Sequence, residues 1–175
     1  MPITPEFSRL FVLDGVPAGG ASLALKATPE ECRALAARFE LVQLDRLEGE
    51  VRVERIGDGQ LIHVAGRLHA TGAQRCVVTL EPFDQEVDAE FDRLFSPDVP
   101  EETAGEVEID AESELPEPLP STGLDLGEIL AEELSLALDP YPRSPDADKR
   151  LAERGLAGED AARNPFAALA PLRKH

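Results

Sequence analysis

Apolar residues recur with two distinct periods along this chain. Cys32, Leu35, Ala36 and Phe39 follow at i, i+3, i+4 and i+7, which places them on one face of a helix. Thr28, Pro29 and Glu31 supply its start: a capping hydroxyl, a first-turn proline and the acid of a capping box. Cys32 on that face reads as a small core residue. A second helical stripe runs through Leu126, Ile129, Leu130, Leu134 and Ala137, widened by Leu136 and Leu138. Asp125 and Glu128 offer another capping box, and Asp139-Pro140 ends the helix. The buried-type positions of this stripe are nearly all Leu or Ile, so the helix belongs against a sheet.

Elsewhere the period is two. Residues 7–13 read as a short strand, and residues 16–26 as an extended or looped segment. Residues 41–75 are predicted to be β. Leu47, Gly49, Val51, Val53 and Arg55 alternate there with Glu48, Glu50, Arg52 and Glu54. Gly57-Asp58-Gly59 predicts a hairpin turn, with a returning strand over residues 60–70. Ile62, Val64, Leu68 and Ala70 fall on one face of that strand; His63, Arg67 and His69 fall on the other. Residues 76–80 (CVVTL) read as a further strand, broken at Glu81-Pro82-Phe83. Residues 85–95 alternate most regularly. Val87, Ala89, Phe91 and Phe95 point one way, and Glu86, Asp88, Glu90 and Asp92 point the other, as in a half-buried antiparallel strand. Residues 96–105 read as a loop, 106–110 as a short strand, and 111–121 as a Pro- and Glu-rich linker. Past residue 140 comes a charged linker with one weak helical turn over residues 149–156. Asn164, Pro165, Phe166 and Leu169 then begin a short apolar tail suited to docking. The pattern predicts an α+β fold: a curved antiparallel β-sheet or partial barrel of five to seven strands, packed by two main helices. Residues 1–140 form a single domain in this reading, and residues 141–175 a charged linker and C-terminal docking tail.

Charge adds what periodicity lacks. The chain has 175 residues, 35 acids, 17 bases and a net charge of −18. Residues 1–83 carry a net of −2 and residues 119–175 a net of −3, while residues 84–118 carry −13. The chain is therefore a near-neutral domain bearing one acidic strand-and-loop segment. Net acidity opposes phosphate coating, because nucleic-acid affinity rests largely on Lys and Arg. It opposes anionic membrane surfaces too, and suits a cationic protein partner. Two cysteines are too few for a disulfide framework, the N-terminus lacks a signal-peptide pattern, and no apolar run reaches the ~20 residues of a membrane span. A cytoplasmic location is expected.

Motifs for phosphate loops, dinucleotide sites, nucleophile elbows and zinc proteases are missing from the sequence. Carboxylates are abundant but fall on solvated faces, whereas general acid–base work needs a perturbed carboxyl in a cleft. The expectation is a protein that is not an enzyme, with no catalytic residue, no metal site and no cofactor. His63, Arg67 and His69 on one strand face can take an anion. A metal there lacks an evident third or fourth ligand nearby in the sequence.

The segment Arg75-Cys76-Val77-Val78-Thr79-Leu80-Glu81-Pro82, the strand ending Phe91-Asp92-Arg93-Leu94-Phe95, and the run from Leu124-Asp125-Leu126-Gly127-Glu128 to Leu136-Ala137-Leu138 together resemble the YceD family. That is the bacterial large ribosomal RNA subunit accumulation group, with plastid relatives. The C-terminal N-P-F-A-A-L-A-x-L resembles the tail of alphaproteobacterial members. The resemblance spans most of residues 7–175. It implies an accessory factor in ribosome biogenesis and rRNA accumulation. Many family members carry C-x-x-C where this chain has Cys76 and Thr79, and some add cysteines after the last helix, where residues 139–150 have none. Structural zinc needs about four ligands, so a metal site does not carry over.

Two modes of action follow. In the first, the acidic face of Glu86, Asp88, Glu90 and Asp92 binds a basic ribosomal protein or a pre-ribosomal particle. In the alternative, Arg52, His63, Arg67 and His69 contact ribosomal RNA directly. Arg9, Arg46 and Arg55 extend that basic patch if their strands adjoin. Membrane binding is expected in neither.

Overall fold

The computed structural model describes residues 5–17, 19–59, 61–99 and 116–153. Five strands form one sheet in the order β2-β3-β4-β5-β6: β2 (Ala21–Lys26), β3 (Gln43–Ile56), β4 (Leu61–Arg75), β5 (Pro82–Ser96) and β6 (Glu117–Pro118). β2 with β3 and β3 with β4 are antiparallel, and β6 runs parallel to β5. A separate two-stranded sheet joins β1 (Leu10–Phe11) to β7 (Leu124–Asp125). The helices are α1 (Pro29–Arg38), α2 (Leu126–Ala137) and α3 (Ala147–Glu153). The fold is thus α+β, with an open mixed sheet that does not close into a barrel. No helix among the described residues is long and apolar enough to cross a membrane.

The chain divides into two compact units. Of the described residues, one unit holds those up to 74 together with those from 84 to 139, and the other joins 75–83 to those after 139. The core of the first unit lies on one sheet face. Leu47, Val51, Val53, Ile62 and Val64 meet Leu35 of α1 and Leu126, Leu130 and Leu134 of α2, each at most 1 % exposed. Gly49 makes this packing possible, since a Cβ there would lie 2.7 Å from a Leu130 methyl and 2.7 Å from the Arg67 carbonyl oxygen. Leu44 and Leu47 both reach the core although they are three residues apart, because the β3–β4 register shifts between Leu44 and Arg46.

Local chemistry explains the element ends. At α1 the Thr28 hydroxyl accepts from the Glu31 N–H, and the Glu31 carboxylate accepts from the Thr28 N–H, completing the capping box. At α2 Asp125 accepts from the Gly127 and Glu128 N–H groups. Glu128 pairs with Arg38, at 2.7 Å, in place of the expected box. The β3–β4 hairpin turns after Ile56, with Gly57 and Asp58 both at a left-handed φ of 57°.

Several expectations change. Within residues 7–13 only Leu10–Phe11 is strand, and Leu13–Gly15 is a 3-10 turn. Of the segment 16–26, Ala21–Lys26 is strand β2. Residues 76–80 are a turn and not a strand. β4 runs to Arg75 and β5 begins at Pro82, so the CVVTL apolar run spans the connection, with Leu80 at a left-handed φ of 60°. Leu136 is 79 % exposed and does not widen the α2 stripe. Part of the linker is strand, since Glu117 and Pro118 pair with Phe95 and Ser96. The helical turn near residue 149 begins earlier, at Ala147. The expected strand at 106–110 and the tail at 164–172 lie outside the described residues.

Candidate functional site

The second face of the sheet is left uncovered by α1 and α2, the helices of the first unit, and its outward residues are largely charged. Cross-strand register sets Lys26, Glu48 and His69 in one row, Ala24, Glu50 and Arg67 in the next, then Ser22, Arg52 and Ala65, and finally Glu54 beside His63. β5 completes the rows. His63 Nε2 lies 2.7 Å from Asp92 Oδ2, and His69 Nδ1 lies 3.0 Å from Asp88 Oδ1 and 3.7 Å from Glu86 Oε1. These contacts run in opposite order along the two strands, so β4 and β5 are antiparallel.

The acidic and basic candidates therefore share one face. Glu86, Asp88, Glu90 and Asp92 interleave with His63, Arg67 and His69. Arg67 bonds Glu50 at 2.7 Å, while Arg52 pairs with Glu54 and bonds the Gly19 carbonyl. Of the wider basic set, Arg9 pairs with Glu31 at 2.8 Å, Arg46 with Glu48, and Arg55 bonds the Leu13 carbonyl. Each cation has an acid or a carbonyl beside it. The hydrogen bond from Arg46 holds the Glu48 carboxyl below the usual range, helped by Lys26 and His69. Glu48, Glu50 and Glu54 together with Glu86, Asp88, Glu90 and Asp92 set seven carboxylates against Lys26, Arg46, Arg52 and Arg67. Those β3 acids were not singled out from sequence. Their signal was the alternation Glu48, Glu50, Glu54 opposite apolar positions.

Two shallow hollows adjoin on this face, of about 630 and 640 Å³. Ala24, Glu50, Arg67 and Glu90 line both. Lys26, Glu48, His69 and Asp88 border the first, and Ser22, Arg52 and Ala65 the second. His69, Glu86 and Asp88 are the described residues best placed to ligate a metal, with ligand atoms within 4.8 Å of one another. The sequence offered no third ligand because these acids come from the neighbouring strand.

The two cysteines are free and buried. Cys32 sits in the core of the first unit. Cys76 organises the turn of the second. Its Sγ accepts from the Thr79 N–H at 3.4 Å, its carbonyl from Leu80 and its N–H bonds Glu81, each of the latter at 2.9 Å. Burial pushes the Cys76 thiol up, but the Thr79 hydroxyl and the N–H groups of Ser144, Thr79 and Val78 outweigh it and bring it to about 6. Thr79 thus stabilises the lone sulfur from the position where the family's second cysteine would stand.

The architecture defines an α+β protein whose sheet has one face covered by α1 and α2 and one densely charged face that, in the described residues of the first unit, is bare. Residues 64–173 match the family described as Large ribosomal RNA subunit accumulation protein YceD, and the chain belongs to that family. Membership implies a role in the accumulation of large-subunit ribosomal RNA. No curated protein and no solved structure gives a significant match.

Proposed function

We propose that this protein is a non-enzymatic accessory factor for large-subunit ribosomal RNA accumulation, acting through the bare sheet face on a basic ribosomal protein in the cytoplasm. The observation that carries this reading is the interleaved face itself. Seven carboxylates outnumber four permanent cations there, and every one of those cations already has an acid within reach. A cationic partner relieves the repulsion among Glu86, Asp88, Glu90 and Asp92, while a phosphate backbone meets acids at every row. Charge complementarity of this kind raises association rate and salt sensitivity more than raw affinity. Direct RNA contact through Arg52, His63, Arg67 and His69 is the weaker reading for the same reason.

Purified protein incubated with dissociated large-subunit proteins at low salt is expected to retain a basic one and release it as salt rises. The variant E86Q/D88N/E90Q/D92N is expected to retain none. Retention unchanged by the four substitutions removes the face from this role. A shift of ribosomal RNA fragments by the wild type, abolished by R52A/R67A, replaces it with the RNA reading.

A further inference from the structure

We infer that Arg67 is an internal stand-in for a guest's cation, so that an extended Arg- or Lys-bearing segment of a protein partner displaces it and seats its own charge between Glu50 and Glu90. This rests on the reading of the bare face as an acidic docking surface, and adds where the guest's charge goes and what it competes with.

Arg67 and Glu50 lie where the two hollows meet, and with Glu90 they line both. The only acid partner of Arg67 among the described residues is Glu50, at 2.7 Å, and the two side chains are 69 % and 67 % exposed. An exposed pair of this kind is worth little, so a guest can open it at small cost. Glu90 supplies the other half. Glu86 and Asp88 flank His69, Asp92 bonds His63, Glu48 has Lys26 and Arg46, and Glu54 has Arg52. Of Glu86, Asp88, Glu90 and Asp92, Glu90 alone has no His, Lys or Arg at bonding distance among the described residues. The floor between these groups is small: Ala24 on β2 and Ala65 on β4 leave room for a backbone to lie across the strands.

Removing an arginine from a binding face ordinarily weakens binding; removing Arg67 should tighten it. The 175-residue protein would be titrated into a fluorescent nona-arginine peptide at low salt, with anisotropy as readout. R67A should bind about fivefold tighter than wild type, as expected from losing one like charge a few ångströms from the guest. R33A is the control. It removes the same charge from an exposed pair, Arg33–Glu30 at 2.6 Å on α1, and should change affinity less than about twofold. R67A/E90Q should return toward the wild-type affinity. Circular dichroism checks that all three variants are folded. If wild type binds the peptide and R67A gains no more than R33A, or loses affinity, the stand-in is overturned and the acidic docking face survives. If neither wild type nor R67A binds, the docking face falls and the stand-in falls with it.

Discussion

The sheet carries ion pairs on both of its faces, and they are of different kinds. On the covered side Arg93 is 18 % exposed. It donates to Glu117 of β6 at 2.7 Å and to Glu132 of α2 at 2.6 Å, and lies 3.8 Å from Glu133. Its guanidinium also stands over the Phe95 ring, 5.4 Å from the centroid. On the bare side Arg67 meets one carboxylate and is mostly in water. The residue types are the same. Burial, partner number and what each pair ties together differ. Arg93 fastens a two-residue edge strand and a helix to the sheet, whereas Arg67 fastens nothing but two side chains on neighbouring strands. The first arrangement is architecture and the second is exchangeable surface.

The sharpest way to break this comparison is Arg93→Ala. It leaves Glu117, Glu132 and Glu133 gathered without their cation, and hydrogen bonds to charged groups are worth about 1.5–3 kcal/mol each in context. A loss of about 2–3 kcal/mol in urea unfolding is expected, with faster amide exchange at Glu117 and Pro118's neighbours. A loss below about 1 kcal/mol would place Arg93 in the same class as Arg67.

Glu133→Gln gives a smaller effect with a definite pH sign. Burial pushes the Glu133 carboxyl above its ordinary range; Arg93 pulls it down, and Glu132 and Glu117 push it up again. A carboxyl raised by folding contributes stability that is fully present below its unfolded pKa and is lost as pH rises through the folded one. At pH 7 the charged form is therefore a liability, and Gln removes it. The variant should be the more stable protein at pH 7, and its advantage should shrink as pH falls toward 4. A variant less stable than wild type at pH 7 would mean that the contact with Arg93 outweighs the burial.

What was legible in the sequence was local. The Thr28–Glu31 box, the α2 stripe, the hairpin at Gly57-Asp58 and the alternation of residues 85–95 all depend on neighbours a few positions apart, and all are present. What was not legible was which faces meet. His63, Arg67 and His69 share a parity within β4, as do Glu86, Asp88, Glu90 and Asp92 within β5. Whether the two sets face the same way depends on the length and geometry of the connection between the strands. The reading of residues 76–80 as a strand hid that connection, because Val77, Val78 and Leu80 carry β-type composition in what is a hydrogen-bonded turn around Cys76. Two rival sites thus collapse into one interleaved face. Arg93 was invisible for a related reason: it breaks the apolar series Val87, Ala89, Phe91, Phe95, and its partners lie 24 and 39 residues away.

The smallest expected effect is the most discriminating. If Arg67 is exchangeable surface, Arg67→Ala, Glu50→Gln and the double variant should each alter unfolding stability by less than about 0.5 kcal/mol, with a coupling energy inside that range. The same Arg67→Ala should nevertheless change binding of a cationic peptide several-fold. Stability and binding respond differently because unfolding weighs one solvent-screened pair against water, while binding weighs a guest's charge against a like charge at the same spot. A coupling energy above about 1 kcal/mol would make the Arg67–Glu50 pair part of the architecture, as Arg93 is, and the bare face would lose the feature that sets it apart from the covered one.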